Sequence, residues 1–285
     1  MKLPDRKVIF TAALNGAFVT KNMNPNVPEQ PSEIAQAACE CYNAGAAIVH
    51  IHARDENGKP TGTKEKFQEI ISAIRAKCPD LIIQFSTAGG AQLTLEERLN
   101  CLYAMPDMCS LNMGTLLRTS NDVAKGTVFM NTPWDIEEWA KKMIELDIKP
   151  EMELYSQAMF REVNSLIKKG VLKKPYYVNF VLGMMYQGSI DATPETLQSM
   201  YSFLPEDTYF NVTATSKAQL PITTMAMIMG GCCRVGLEDN IYFSHGILAK
   251  SNAQLIERSV RIASELNIEP YSAQEARDIL CITKR

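Results

Sequence analysis

Ala47-Ile48-Val49-His50-Ile51-His52-Ala53 is a short, apolar, largely β-branched run that closes on two histidines. Thr63 and the amphipathic stretch Lys64–Lys77 follow it. A run this short, rich in Ile and Val, reads as a buried strand, and Thr before a periodic stretch reads as a helix start. The same unit recurs from end to end. Further candidate strands are Lys7–Leu14, Leu81–Ser86, Met108–Met113, Pro150–Tyr155, Tyr177–Leu182, Tyr209–Ala214 and Cys233–Glu238. Helical segments are expected from Ser32-Glu33 to Asn43, over Leu95–Tyr103 after Thr94, and over Ile136–Leu146 after Asp135. Others run over Ser156–Lys169, from Thr193-Pro194-Glu195 onward, and over Ala218–Met229, Ser251–Leu266 and Ala273–Leu280.

Strict strand–helix alternation implies parallel strands joined by crossover helices. Eight such units make a closed (β/α)8 TIM barrel of the α/β class, and 285 residues suit a fold that typically needs about 250. The rival, a doubly wound open sheet, lacks support: no G-x-G-x-x-G follows the first strand and there is no P-loop. No linker, charge block or internal repeat divides the chain, so residues 1–285 are read as one catalytic domain. Asn22–Pro31, with three prolines, reads as a long loop.

Composition excludes several classes. The hydrophobic fraction of 46% is that of a globular chain, and a net charge of −3 offers no footprint for nucleic acid. No apolar run approaches the ~20 residues of a membrane helix. The start of the chain lacks the pattern of a secretory signal, so a cytoplasmic location is expected. The eight cysteines include no C-x-x-C pair, and most read as small, buried, reduced hydrophobes.

In a barrel, chemistry belongs at the C-terminal ends of the strands. Those ends read Asn15, His52, Ser86, Asn112, Glu153, Gly183, Thr213 and Glu238-Asp239, polar residues terminating apolar runs. By the two-residue period of a strand, His50 and His52 share a face about 7 Å apart and can chelate a transition metal with a third ligand. They read equally as a hydrogen-bonded core histidine beside an unrelated one, and His245 is another candidate third ligand. In the last strand, Cys232, Arg234, Gly236 and Glu238 share a face. Glu238, one strand removed from His52, completes a His2Glu set; alternatively Arg234 and Glu238 form an internal ion pair. Ser86-Thr87 running into Gly89-Gly90 offers hydroxyls and backbone N–H groups to an oxyanion, a carboxylate or a phosphate. A Ser86–His52–Asp239 triad is disfavoured by the absence of a G-x-S-x-G elbow.

Ordered blocks add a further signal: Thr11-Ala12-Ala13 with Gly16-Ala17, Ala44-Gly45-Ala46 leading into His50-Ile51-His52-Ala53-Arg54, and Ser86-Thr87 with Gly89-Gly90. They continue through Ser110-Leu111-Asn112-Met113-Gly114, Lys149-Pro150-Glu151, Phe180-Val181-Leu182-Gly183, Arg234-Val235-Gly236-Leu237-Glu238-Asp239-Asn240 and Gly246–Ala253. With these the sequence resembles the β-keto acid cleavage enzymes over nearly its whole length. The resemblance implies a TIM barrel, a Zn²⁺ ion, a homotetramer, and condensation of a β-keto acid with acetyl-CoA to give acetoacetate and a new acyl-CoA. It implies zinc ligation by His50, His52 and Glu238 and substrate contacts at Ser86, Gly89 and Ser110. Arg234 and Asp239 match an acid/base pair and Glu153 a pocket acid; Asn15, at the end of the first strand, is counted with the substrate contacts.

Three positions depart from the family pattern. Phe18 stands where the family's best-known member places a Glu against a substrate ammonium group, which implies a neutral, apolar tail in place of 3-keto-5-aminohexanoate. Cys232 replaces a usual His, and Lys217 follows a strand where a Gly-rich stretch with Arg is usual; Lys217 would meet CoA phosphates as a point charge. Two other readings use the same residues: a metal-dependent aldolase or hydrolase that needs no CoA, and a metal- and carboxylate-binding protein without catalysis.

Overall fold

A computed structural model describes residues 7–90, 92–118, 126–184 and 187–285. Eight parallel strands close into a barrel: β1 Phe10–Ala13, β2 Ile48–Ile51, β3 Ile82–Phe85, β4 Met108–Asn112, β5 Lys149–Leu154, β6 Tyr176–Leu182, β7 Thr208–Ala214 and β8 Cys232–Val235. Each pairs with its neighbours in sequence, and β8 closes on β1 with Arg234 opposite Thr11. Helices α1 Pro31–Asn43, α2 Lys64–Lys77, α3 Leu95–Leu99, α4 Pro133–Glu145, α5 Phe160–Lys168, α6 Pro194–Tyr201, α7 Gln219–Ile228, α8 Asn252–Glu265 and α9 Ala273–Leu280 complete the described residues. The (β/α)8 barrel read from strand–helix alternation is the fold observed. Among the described residues no helix is long and apolar enough to cross a membrane.

Alternation along each strand builds two unlike faces. Outward residues such as Val49, Ile51, Ile83, Phe85, Leu111, Val178, Phe180 and Val212 join the helices in the main core. Inward residues change character along the axis. At the floor Ile48, Ile82, Met108, Tyr177 and Cys232 pack against Ala273, Ala276 and Leu280 of α9. Arg277 of α9 locks onto the buried carboxylate of Asp107 at 2.9 Å. Higher up the interior turns polar, with His50, Gln84, Ser110, Asn112, Glu151, Glu153, Asn179, Asn211, Thr213 and Arg234 all buried. Polar groups are costly to bury without partners.

Several boundaries differ from the sequence reading, each for a physical reason. The first strand divides: Lys7–Val8 pairs with Glu269–Pro270 at the floor, and only Phe10–Ala13 enters the barrel. Helix α4 begins at Pro133 with Thr132 as its cap. Asp135 is the third residue of that turn, and its carboxylate accepts from the Thr132 backbone N–H in a capping box. The segment expected over Ser156–Lys169 opens with a 3-10 turn, Gln157–Met159, before α5. Leu95–Tyr103 likewise passes from α3 into a 3-10 turn at Asn100–Ala104.

The most consequential shift is at β8, which ends at Val235 and does not continue to Glu238. A Cβ on Gly236 would lie 2.0 Å from the carbonyl oxygen of Ala13, so only glycine can pass β1 there. Beyond it the chain turns, with the N–H groups of Asp239 and Asn240 donating to the Gly236 carbonyl at 3.2 and 3.0 Å.

Candidate active site

That turn determines the site. It carries Glu238 back over the mouth of the barrel, where its Oε1 lies 3.3 Å from His52 Nε2 and 3.7 Å from His50 Nε2. The two Nε2 atoms are themselves 3.4 Å apart. Glu238 packs against Gly16, where a Cβ would lie 2.6 Å from the Glu238 Cγ. Three ligands at about 2.0 Å from a tetrahedral ion would be separated by about 3.3 Å, so these gaps fit a divalent transition ion. Two buried atoms of the trio, His52 Nδ1 and Glu238 Oε2, make no hydrogen bond. His50 Nδ1 lies 2.7 Å from Gln84 Oε1, which fixes that nitrogen as the donor and turns Nε2 toward the trio. Burial, followed by the nearby Arg234 charge, pushes His50 down to about 3, leaving it the neutral imidazole a metal requires. His50, Glu151 and Glu153 form a second cluster, with one ligand atom of each within 4.8 Å of the others.

Arg234 rises from β8 into a ring of carboxylates. It donates through Nε to Asp239 Oδ2 at 2.9 Å and through Nη2 to Asp239 Oδ1 at 3.1 Å. Nη2 also reaches Glu238 Oε1 at 2.7 Å, and Nη1 reaches Glu153 Oε1 at 3.4 Å. Burial would lower the guanidinium, but the three carboxylates outweigh it and hold Arg234 well above its usual value. Burial would raise Glu238, yet Arg234 and the two imidazoles keep it far below the ordinary carboxylate range. The other two acids go the opposite way. Burial pushes Glu153 up to about 8 and Asp239 up to about 6, with Arg234 opposing both shifts. One carboxylate thus stays ionised beside the histidines while two neighbours sit where protons can be exchanged near neutrality.

The cleft over this ring is walled by Gly16, Phe18, Val19, Ser86, Ala88, Arg118, Tyr155, Val181, Met184 and Gln187, with the His, Glu and Arg groups at its base. Phe18 sits under the guanidinium of Arg118, 5.4 Å from centroid to charge, and Arg118 Nε donates to Gln187 Oε1 at 3.2 Å. Arg54 holds the loop that carries Phe18, donating through Nη2 to the carbonyls of Asn15, Gly16 and Val19.

The residues singled out from sequence divide by location. His50, His52, Glu238, Arg234, Glu153, Ser86 and Phe18 all line the cleft, and Asp239 lies directly behind it on Arg234. Asn15 does not face the cleft: it accepts from the His52 N–H at 3.0 Å and donates to the His52 and Pro28 carbonyls, so it fixes the end of β2. Ser110 is fully buried, its hydroxyl accepting from the Thr87 N–H at 3.1 Å, and it shapes the loop after β3. Gly89 follows Ala88 in that loop without reaching the cleft wall. Cys232 is at the apolar floor. His245 and Lys217 line a different cavity, which removes His245 from the ligand set. Sequence reasoning missed Gln84, Arg118 and Gln187. The alternation that places His50 inside also places its neighbour Gln84 inside, since the two are paired in register; the other two lie in loops with no such signal.

Comparison with known proteins supplies a family. The family model described as beta-keto acid cleavage enzyme matches residues 7–282. The 3-keto-5-aminohexanoate cleavage enzyme of Acetoanaerobium sticklandii is 42% identical over 278 residues, covering 98% of this chain and 99% of that protein. The 3,5-dioxohexanoate:acetyl-CoA acetone transferase of Paraburkholderia graminis is 31% identical, covering 96% of each. Among solved structures, apo ObcA superimposes with a TM-score of 0.75 at 16% identity, over 90% of this chain and 66% of that one, a likeness of fold. By family model, full-length identity and barrel alike, this chain belongs to the β-keto acid cleavage enzymes.

Proposed function

We propose that this protein condenses a β-keto acid with acetyl-CoA, releasing acetoacetate and leaving the remaining acyl group on CoA, with Zn²⁺ as the ion held by His50, His52 and Glu238. The observation that carries the reading is the juxtaposition of that trio with the Arg234–Asp239 pair, joined through the 2.7 Å contact of Arg234 with Glu238. The name of the 31% identical relative, an acetyl-CoA acetone transferase, supports the choice of co-substrate.

When bound, the ion supplies Lewis-acid polarisation of the keto and carboxylate oxygens. The protein supplies the rest. Ser86, with Gly89 and Ser110 shaping its loop, holds the substrate carboxylate at the cleft wall. Asp239 accepts the proton from the carbon between the two carbonyls, and Arg234 holds that carboxylate in place through its two-point contact; a guanidinium is itself a poor base. The resulting carbanion attacks the acetyl thioester and expels CoA thiolate; the thiolate adds to the substrate's own keto carbon, the carbon–carbon bond beside it breaks, and the departing acetoacetate carbanion takes back the proton held by Asp239. Glu153, held largely protonated by burial, donates toward oxygen in the same cleft.

The tail of the keto acid lies against Phe18, Val19, Val181 and Met184, an apolar wall. Phe18 brings no carboxylate for an ammonium group, so the reading favours a neutral, apolar tail over 3-keto-5-aminohexanoate. Lys217, beyond the cleft, serves CoA. The family resemblance adds a homotetramer, which light scattering of the purified protein checks.

The test is a panel of β-keto acids assayed for acetoacetate with and without acetyl-CoA, on zinc-loaded and chelator-treated enzyme. Acetoacetate formed only with both thioester and metal is the expected result. Turnover without thioester would indicate the aldolase or hydrolase reading, and binding without turnover across the panel a silent carboxylate-binding protein.

A further inference from the structure

Arg54 follows His52 by two residues, just past β2, and its backbone pairs with Pro60 in an isolated antiparallel bridge. Its side chain is almost wholly buried, 1% exposed, with Glu29 Oε1 3.6 Å from Nη1 as its ion-pair partner. A buried guanidinium needs acceptors for its N–H groups. Main-chain carbonyls provide them: Nη1 donates to Gly58 at 2.8 Å, and Nη2 to Asn15 at 3.2 Å, to Gly16 at 2.6 Å and to Val19. Three of these carbonyls belong to the loop after β1, and that of Gly58 to the loop after β2.

The loop after β1 serves two purposes within four residues. Gly16, at φ 61°, is the surface against which Glu238 packs, and Phe18 and Val19 form part of the cleft wall. Asn15 makes the return contact, accepting from the His52 N–H at 3.0 Å. The loop ends of β1 and β2 are thus fastened to each other from both sides. Arg54 is the side chain that holds the support of Glu238 and the wall together.

We infer that Arg54 is a positioning residue that sets two properties of the site at once: how firmly Glu238 holds the ion, and how the keto-acid tail fits against Phe18 and Val19. The inference rests on the reading of the His50–His52–Glu238 trio as a metal site and of that wall as the tail site. The shape of the side chain matters more than its charge. Carbonyls spread over two loops are met by a planar fork and not by the point charge of an ammonium. A lysine here keeps the charge but leaves buried carbonyls without donors, which frees Gly16 and Val19 to shift together.

The test compares the wild type with Arg54→Lys and with Glu29→Gln, a milder change that keeps the shape of the ion-pair partner and removes its charge. Competition with a chromophoric chelator reads zinc affinity without turnover. Binding about tenfold weaker is expected in Arg54→Lys, the range for losing an outer support of a metal ligand, and about threefold weaker in Glu29→Gln. At saturating zinc, KM is then compared across keto acids of increasing tail length. In Arg54→Lys, KM for the longest tail is expected to rise by at least about tenfold and KM for the shortest by less than about threefold, with kcat nearly unchanged. A general loss of folding would instead lower kcat for every substrate alike. Should Arg54→Lys fail to fold, Glu29→Gln carries the same comparison at the smaller magnitude. Zinc affinity at the wild-type value, or a KM rise equal for all tails, overturns the inference. Hydrogen exchange needs neither zinc nor turnover, and so separates this inference from the functional reading. Residues 15–20 and 236–240 are both expected to exchange faster in Arg54→Lys. If the wild type binds no zinc or forms no acetoacetate, the functional reading fails by itself; unchanged exchange in either segment sinks the role of Arg54.

Discussion

Gln84 Oε1 lies 2.7 Å from His50 Nδ1, and the two residues are paired directly across β2 and β3. The amide determines which nitrogen of His50 faces His52 and Glu238. Gln84→Leu keeps the volume and removes the acceptor. It is expected to weaken metal binding by about 10- to 100-fold, the usual cost of losing an outer partner of a ligating imidazole. Competition with a chromophoric chelator measures it, and an affinity equal to the wild type's would show that Gln84 has no hold on the ligand.

Asp239 and Arg234 divide chemistry from architecture. Asp239→Asn keeps one acceptor oxygen against the guanidinium and removes the proton acceptor, so kcat is expected to fall by about 10²–10⁴. Arg234→Met instead leaves Glu153, Glu238 and Asp239 facing one another in a buried site. Breaking a buried charge pair from one side costs about 3–5 kcal/mol, read from urea unfolding of the two variants side by side.

Tail selectivity should shift with one position. Phe18→Glu places a carboxylate on the cleft wall where the ring now lies. The variant is expected to gain at least about tenfold in kcat/KM for 3-keto-5-aminohexanoate over the wild type, one ion-pair's worth of discrimination. A wild type that already prefers the amino substrate would refute the apolar tail.

Lys149 gives a pH signature far from the site. Its ammonium is buried at the foot of β5 and donates to the carbonyls of Lys173 and Pro175, while burial brings it down to about 8 from 10.5. Between those values the unfolded chain holds a proton that the folded chain has released, so this residue makes stability rise with pH across that window. Lys149→Met should remove that slope, on the order of 1–3 kcal/mol between pH 7 and 10. Urea midpoints of both proteins at several pH values measure the difference, and parallel curves would show that Lys149 is not perturbed.

Much of the barrel is legible because alternation and helix starts are local. The His50–His52 pair is legible for the same reason: a strand has only two faces. Glu238 was identifiable by residue type, yet the period of two misplaces it, since β8 stops at Val235 and a turn delivers the carboxylate. What ends the strand is the contact of Gly236 with Ala13, separated by most of the chain, and no local pattern encodes it. Asn15 and Ser110 look like site residues because polar strand ends are rare; the structure uses them on backbone groups of neighbouring loops. Arg118 and Gln187 meet only when two distant loops converge, which periodicity does not reveal.

The crossing of Gly236 over Ala13 has a last consequence for assembly. The two imidazoles come from the second strand and the residue just past its end, and the carboxylate from beyond the eighth, so an unclosed sheet owns two-thirds of a chelate and none of its charge. On the proposed reading of the trio as a metal site, cation affinity comes only with ring closure, and by linkage a bound cation favours the shut ring over every partly unzipped species. Along a denaturant series, the release of the ion should mark the parting of this one seam, ahead of any loss of helix.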